Sequence, residues 1–443
     1  MIKGLVTSMV DNLSDDLMVN MLTKDYPENF FVMATAAEKL SLVAIVEACM
    51  RGESGKALQR TYGSPNVQSQ WKKLFLNPRQ LFEMPTEKLE DISTEVIIGK
   101  RAIKPLRISM PVMITGMSYG GSLSVEAKMA LGKGAAIAGT ATNTGESSVC
   151  REERSSTNLL IGQYNRGGWL RKHEDLAQLD AIEIQLGQGA WGGAVPTSIP
   201  SNEIGDHLRE CWGLREGEDA KKGARMEGVG NTEDLINLVK SLRDTYGVPV
   251  GIKIAATHFL EKELDIITQT EADFITIDGA EGGTSSAPPT LEDDMGLPTL
   301  LALNRAAKYL ENKGIKDKYD LIIAGGLKTP GEFLKAIALG ARAVYIGSIA
   351  LIATIQSQIV KTLTDETTPQ LVIYGGKLTK DLDVEKGATT LSNFLISCKE
   401  EMKLSLSAMA KTDVSQLTKE DLVCVDRELS GVLGVGFGGD ACN

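Results

Sequence analysis

The sequence predicts an α/β fold, a (β/α)8 TIM barrel with an N-terminal helical cap and a C-terminal helical extension. Three observations lead there. From Pro111 onward, eight short apolar runs alternate with helix-like segments, and alternating βα units pair their strands in parallel. The run at 320–326 (DLIIAGG) and the run at 343–348 (AVYIGS) each reach glycine just before a helical pattern. Backbone N–H groups and a helix N-terminus would then face one anionic group, at the end of the barrel where phosphates are held. A length of 443 residues accommodates one barrel of about 250 residues together with flanking elements.

Residues 1–105 lack the alternation and read as the helical cap, with helices expected at 35–51 and 69–83 between Gly- and Pro-containing loops. The barrel is assigned to 106–354. Its strands are expected at 111–115, 140–144, 158–164, 181–186, 248–255, 273–278, 320–324 and 343–347. Helical patterns lie between them at 124–138 after a polar N-cap, at 233–246, at 297–313, and at 330–339 with Pro330 in the first turn. The C-terminal extension, 355–443, carries a helical stretch at 390–409 and a second at 418–429, expected to pack on the barrel's outside or in an oligomer contact.

Composition narrows the functional classes. A net charge of −11 argues against a nucleic-acid or anionic-membrane surface while leaving room for a local basic pocket. The N-terminal 22 residues contain acidic side chains and no apolar core like that of a signal peptide, and the longest apolar run, 40–50, is too short to span a bilayer. A soluble, cytoplasmic protein is expected. Cys49, Cys150, Cys211, Cys398, Cys424 and Cys442 show no C-x-x-C pair and no zinc or iron–sulfur spacing, so they read as reduced thiols. His173, His207 and His258 have no metal-ligand spacing, and no metal site is expected. The run Gly434-Val435-Gly436-Phe437-Gly438-Gly439 imitates a dinucleotide loop but lacks room for the helix such a loop needs.

The carboxyl ends of the expected strands are rich in Gly, Ser, Thr and amides: Thr115-Gly116-Met117-Ser118-Tyr119-Gly120-Gly121, Asn143-Thr144-Gly145-Glu146, Gln185, Gln188-Gly189, Lys253, Asp278-Gly279, Gly282-Gly283-Thr284, Gly325-Gly326 and Gly347-Ser348. In a barrel these loops line the active-site mouth, although glycine also simply closes tight βα turns. Lys253 lies inside the apolar run Val250-Gly251-Ile252-Lys253-Ile254-Ala255, where a charge is costly unless it meets an anion. That anion is either a structural ion-pair partner or the N1/O2 edge of a flavin, where negative charge accumulates on reduction. Arg166 either clamps a substrate carboxylate or sits in a surface turn. Glu146 either handles an amine or proton or caps the next helix. Asp278 reads as a cavity residue or as the turn before Gly279.

These motifs resemble those of the FMN-binding domain of the glutamate synthase family, over about Pro105 to Leu351 with a weaker likeness on both flanks. Met117-Ser118-Tyr119-Gly120 is similar to the family's M-S-F-G, Asn143-Thr144-Gly145-Glu146 to its N-T-G-E, and Gln188-Gly189-Ala190 to its Q-G-A. Lys253 matches its strand lysine, Gly282-Gly283-Thr284 its G-G-T, and Gly325-Gly326-Leu327-Lys328-Thr329 its G-G-L-K-T. The resemblance implies non-covalent FMN and reduction of an imine formed from a 2-oxo acid (2-oxoglutarate or an analogue) and ammonia or an amine. It implies that Lys253 stabilises the reduced flavin and that Gly325, Gly326, Gly347 and Ser348 hold its phosphate. Met117 and Ser118 would border the ring, with Thr115, Gly116, Asn143, Gln185, Asp278, Gly282, Gly283 and Thr284 as further cofactor contacts. Gln188 and Arg166 would face the substrate, and Glu146 would orient the amine or relay a proton.

The chain departs from the family in three places. From its start at Met1-Ile2-Lys3 no glutaminase is expected in the chain, and no cysteine falls between Ile349 and Cys398 where the family's three-cysteine iron–sulfur motif follows the last strand. A stand-alone form similar to the FMN subunit of N-methylglutamate synthase is therefore expected, without an iron–sulfur cluster in this chain. It would work beside glutaminase-like or ferredoxin/flavin reductase subunits and as a homo-oligomer. Third, where the family reads Q-G-A-K, Trp191 replaces the lysine that meets the keto acid's carboxylate. An indole supplies no such charge, so either the substrate differs or Arg166 holds it alone. The competing readings are another FMN-barrel chemistry, hydroxy-acid oxidation or flavin-dependent isomerisation, with His258 the only candidate base for the former, and a non-catalytic flavin subunit that relays electrons.

Overall fold

The computed structural model describes residues 15–441 except 17, 20, 26–28, 30, 67 and 363–365, so the expectations about the first 14 residues and Cys442 lie outside the described residues. The chain divides into two compact units, Met1–Gln59 and Arg60–Asn443. In the first, the single helix expected at 35–51 is two, Phe31–Leu40 and Leu42–Ser54. The break falls at Ser41, whose φ of 63° no helix accommodates and whose hydroxyl caps the second helix through Ala44 N–H.

The second unit holds the eight expected strands: β1 Val112–Ile114, β2 Thr142–Asn143, β3 Leu160–Tyr164, β4 Ala181–Gln185, β5 Val250–Ala255, β6 Phe274–Asp278, β7 Asp320–Ala324 and β8 Ala343–Ile346. They form one parallel sheet in which β1 pairs with β8 and the rest follow in sequence from β8 down to β2. The sheet curls back on itself. Ile114 N–H donates to Ala141 C=O at 3.0 Å, and Gly116 bridges Asn143 in parallel, so β1 meets β2 and the barrel is nearly closed.

The helices following the strands are α1 Val125–Ala138, α2 Arg151–Ser156, α3 His173–Leu176, α4 Thr232–Tyr246, α5 Leu260–Ile267, α6 Thr299–Asn312, α7 Pro330–Ala338 and α8 Ser348–Ile355. Local chemistry sets their ends. Ser124 and Thr329 cap α1 and α7, Asn231 and Asp234 form a capping box on α4, and Gly139 and Gly247 close α1 and α4 in the left-handed region. A long helix, α9 Val384–Ala408, lies on α1 and buries Leu391, Leu395, Met402 and Leu406, each contributing about 1.5–3 kcal/mol of apolar burial. Gly134 permits the contact: a Cβ there would lie 2.8 Å from Leu391 Cδ2 and 3.0 Å from Ala388 C=O.

Two expected helices are replaced by a small sheet. At 69–83 the chain makes a 3-10 turn, Trp71–Lys73, then the strand Leu74–Leu76. At 418–429 it makes the turn Lys419–Asp421, the strand Leu422–Cys424 and only then a helix, Arg427–Leu433. The two strands pair antiparallel, Leu74 with Cys424 and Leu76 with Leu422, and Gly436–Phe437 adds a third. The reason is periodicity: Leu74 is buried and Phe75 exposed, a two-residue alternation too brief to be told from a helical face by sequence alone.

Between β4 and α4 lies an insertion, 186–231. It contains a 3-10 turn, Gly189–Trp191, the antiparallel strands Thr197–Ile199 and Ala220–Lys222, and the short helix Asp206–Trp212. Among the described residues no helix is long and apolar enough to cross a membrane.

Candidate active site

Strand alternation sends every second residue into the barrel. On β4 these include Glu183 and Gln185. Glu183 is fully buried and accepts from Asn143 Nδ2 (3.0 Å), Gln163 Nε2 (2.8 Å) and Thr276 Oγ1 (2.8 Å), side chains from β2, β3 and β6. Asn143 Oδ1 in turn accepts from Gly145 N–H at 2.8 Å. Both ends of that amide are therefore engaged in building the mouth.

One layer further toward the carboxyl ends, Lys253 on β5 stands beside Gln185 on β4 and Thr276 on β6. Its Nζ lies 3.2 Å from Asp278 Oδ2, both side chains being nearly inaccessible. Burial works against the Lys253 charge, but Asp278 and Glu183 outweigh it and hold its pKa above the ordinary value. Gln185, fully buried, finds no hydrogen-bond partner for either Nε2 or Oε1.

The β1 and β2 loops are locked together from below by Lys128 on α1. Its Nζ donates to Met117 C=O at 2.6 Å and Asn143 C=O at 2.8 Å, and lies 2.9 Å from the buried Glu153 carboxylate. Gly116 and Gly145 let the loops touch: a Cβ on Gly116 would lie 2.9 Å from Asn143 Oδ1, and one on Gly145 2.5 Å from Ser118 N. Ser118 Oγ sits 3.4 Å from Ser122 Oγ. Thr115, Gly116, Met117 and Ser118 all keep partial exposure at the mouth.

On the β2–β3 side, Arg166 is buried. Its Nη2 lies 3.3 Å from Glu146 Oε1, while Nη1 donates to Val195 and Gly223 carbonyls and Nε is left unpartnered. The second Glu146 oxygen accepts from Lys222 Nζ at 2.5 Å, and that ammonium stands 5.9 Å from the centre of the Trp191 indole. Gln188 opens the Trp191 turn, bridging Gly193 through the backbone. The turn is pressed against the end of β6, since a Cβ on Gly189 would fall 1.9 Å from Gly279 C=O.

The glycine ends of β6, β7 and β8 meet on the opposite side. A Cβ on Gly283 would lie 2.4 Å from Ser348 Oγ at the start of α8, and one on Gly282 would lie 2.9 Å from Asp278 Oδ1. Gly325 adopts φ 122° and Gly326 φ 73°, and a Cβ on Gly325 would overlap Thr299 Oγ1 at 2.3 Å. Gly347 directly precedes α8 and approaches Thr115 Cγ2, and Thr284 C=O accepts from Tyr62 N–H at 2.8 Å. His258 does not join this assembly; it is exposed, with its C=O and ring against Arg305 on α6.

Over residues 56–412 the chain matches the family described as the conserved region in glutamate synthase. The chain belongs to the glutamate synthase family. An archaeal-type glutamate synthase (NADPH) of Thermotoga neapolitana is 32% identical over 76% of this chain and 66% of its own length, so the chain spans about two thirds of that relative. The Dehalococcoides mccartyi protein of the same description is 30% identical over 84% of this chain and 78% of its own. A glutamate synthase large subunit-like protein of Rhizobium meliloti is 30% identical, covering 79% and 83%. In fold, the chain is similar to a flavocytochrome b2 double mutant with pyruvate bound, at TM-score 0.51 and 13% identity over 86% of this chain and 84% of that one.

For this member of the glutamate synthase family, the fold assembles three residues that motif spacing passes over: Glu183, Lys128 and Lys222. Glu183 had a signal, a carboxylate on the same face of β4 as Gln185. Lys128, in a small-residue helix, had a weaker one. Lys222 had none, because its hairpin is placed by pairing with Thr197–Ile199.

Proposed function

We propose that the barrel mouth holds FMN and that the chain reduces the C=N bond of an imine formed from a 2-oxo acid, 2-oxoglutarate or an analogue, and ammonia or an amine. The observation that carries this reading is Gln185. A buried amide with no partner costs about 1–3 kcal/mol for each unsatisfied group, and this one stands at the same register as the buried cation Lys253. A planar ligand edge offering both donor and acceptor, and taking up negative charge, fits that pair. The close approaches at Gly282, Gly283 and Gly325 leave backbone rather than side chains at the far end, where Gly326, Gly347, Ser348 and the N-terminus of α8 suit a phosphate.

FMN, when bound, supplies hydride to the C=N carbon. Lys253, kept charged by Asp278 and Glu183, offsets negative charge at the Gln185 edge. Thr115, Gly116, Met117 and Ser118 border the ring, and Asn143 and Thr284 fix the loops around it. Arg166 and Lys222, two cations sharing the one carboxylate of Glu146, retain net positive charge for the acid's carboxylate. Glu146 orients the amine or relays a proton, and Gln188 faces the substrate. In the cytoplasm, as a homo-oligomer, the chain would receive ammonia or electrons from glutaminase-like or reductase subunits.

The test is spectroscopic. Purified protein should carry or take up FMN, and anaerobic photoreduction followed by mixing with 2-oxo acids, with and without ammonia or methylamine, should reoxidise it only with the true pair. A colourless protein that takes up no FMN would overturn the cofactor. Reduced flavin that no acid–amine pair reoxidises would overturn the imine reading in favour of electron relay.

A further inference from the structure

The insertion after β4 packs against the barrel loops in a small apolar cluster, Ile204, Leu208, Trp212 and Ala220 from the insertion with Tyr119, Cys150 and Trp169 from the loops before it. At its edge the fold gathers side chains far apart in sequence. Cys150, at the start of α2, and Cys211, in the helix Asp206–Trp212, have their Sγ atoms 2.8 Å apart. The sulfurs and an imidazole nitrogen of His207 all lie within 4.8 Å of one another. Tyr119 OH is 2.8 Å from His207 Nδ1, which leaves Nε2 free of that contact, 3.2 Å from Glu152 Oε1. Glu152 Oε2 is inaccessible to solvent and has no hydrogen-bond partner.

We propose that Cys150, Cys211 and His207 bind a zinc-class divalent metal ion that staples the insertion to the β2–α2 loop, with the fourth coordination position left to water. Two sulfurs and an imidazole supply three corners of a tetrahedron, and thiolates with imidazole select zinc over the hard, oxygen-seeking cations. The sulfurs need to separate by about 1 Å to take up bonds of about 2.3 Å in a tetrahedron. Cys211, only partly buried near a helix end, has the room.

A Cys150–Cys211 disulfide is the competing outcome, since the sulfurs would close from 2.8 Å to about 2.05 Å. It does not account for His207 beside the two sulfurs. The tyrosine–imidazole contact does follow from a metal site, because a ligating histidine is oriented by a hydrogen bond to its other nitrogen. The staple matters to the mouth: Tyr119 continues the Met117-Ser118 loop, and Trp212 Nε1 donates to Ser147 Oγ at 2.8 Å just past Glu146. A seven-residue core contributes little stability alone, and a metal is one way small cores are reinforced.

The inference is independent of the cofactor reading and is tested on the full chain. Protein treated with reductant and chelator, then freed of both, is titrated anaerobically with Co2+. Binding should saturate at about one ion per chain, with sulfur-to-cobalt charge transfer in the near ultraviolet and tetrahedral ligand-field bands in the visible. Zn2+ should displace the Co2+ and raise the thermal midpoint. Cys211→Ser and His207→Gln should each weaken Zn2+ binding at least about 100-fold, whereas Cys398→Ser should not; two ligand variants guard against one that fails to fold. Absence of the sulfur-to-cobalt band, or wild-type binding by both ligand variants, would overturn the proposal. So would a Cys150–Cys211 disulfide in unreduced protein that takes up no metal after reduction.

Discussion

Lys222 Nζ stands 5.9 Å from the centre of the Trp191 indole. An ammonium is thus held beside position 191 by a different segment, a hairpin strand 31 positions further along, counting 222 − 191. Glu146 is the counter-ion of that ammonium, and we propose that the ammonium serves the acid's carboxylate in place of the family lysine.

Removing this cation tests whether it serves the acid's carboxylate. Lys222→Met should raise KM for the productive 2-oxo acid about 10- to 100-fold, the range for losing a hydrogen bond to a charged group, with less effect on kcat. Trp191→Lys alone should not improve turnover, because it sets a second ammonium beside the first. The double variant Trp191→Lys/Lys222→Met should recover much of the loss. Steady-state kinetics on all three proteins decide it, and a gain from Trp191→Lys alone would sink the idea that the charge has been relocated.

Lys253 is predicted to have both a stability effect and a cofactor effect. Lys253→Met strands Asp278 and Glu183 without their cation and should destabilise the fold by about 3–5 kcal/mol while weakening FMN retention. Adding Asp278→Asn should restore part of the stability and none of the retention. Denaturant titration and flavin release measure the two effects separately.

The same ammonium has a pH signature. Its pKa in the folded chain lies above the ordinary 10.5, so the folded state binds the proton more tightly than the unfolded one. Its stabilisation is complete below about 10.5 and is lost as pH rises through the higher folded value. Wild type should lose stability more steeply than Lys253→Met/Asp278→Asn in that alkaline window; parallel curves would remove the assignment.

Gly283 and Ser348 should behave as a pair. Gly283→Ala sets a methyl 2.4 Å from Ser348 Oγ, and displacing the first residue of α8 should weaken FMN binding about tenfold or more, roughly 1.4 kcal/mol. Ser348→Ala removes the obstructing hydroxyl, so the double variant should bind better than the sum of the single losses indicates. Additive losses in a flavin titration would show that the two residues are not in contact.

Much of the barrel was legible because its information is local. Each β-branched run, its terminal glycine and the following helix occupy one continuous window, and the strands fall within two residues of their expected ends. The flanks were legible only in part: the helix expected at 390–409 is there as α9, but Leu74–Leu76 takes its identity from Leu422–Cys424 rather than from its neighbours. The same holds at the site. Lys253 announces itself as a charge in an apolar strand, whereas Lys222 and the Cys150–Cys211–His207 group are brought into place by the insertion's pairing and its packing on the barrel loops.

The strand Leu74–Leu76 pairs, among the described residues, only with Leu422–Cys424. During synthesis it must therefore wait. All eight barrel strands leave the ribosome before its partner exists, and the loop closed by this pairing is among the longest the chain can form. The two flanks consequently lock late, after the barrel rather than before it, and a ribosome stalled ahead of Leu422 would present a finished barrel with an unpaired strand still open to solvent.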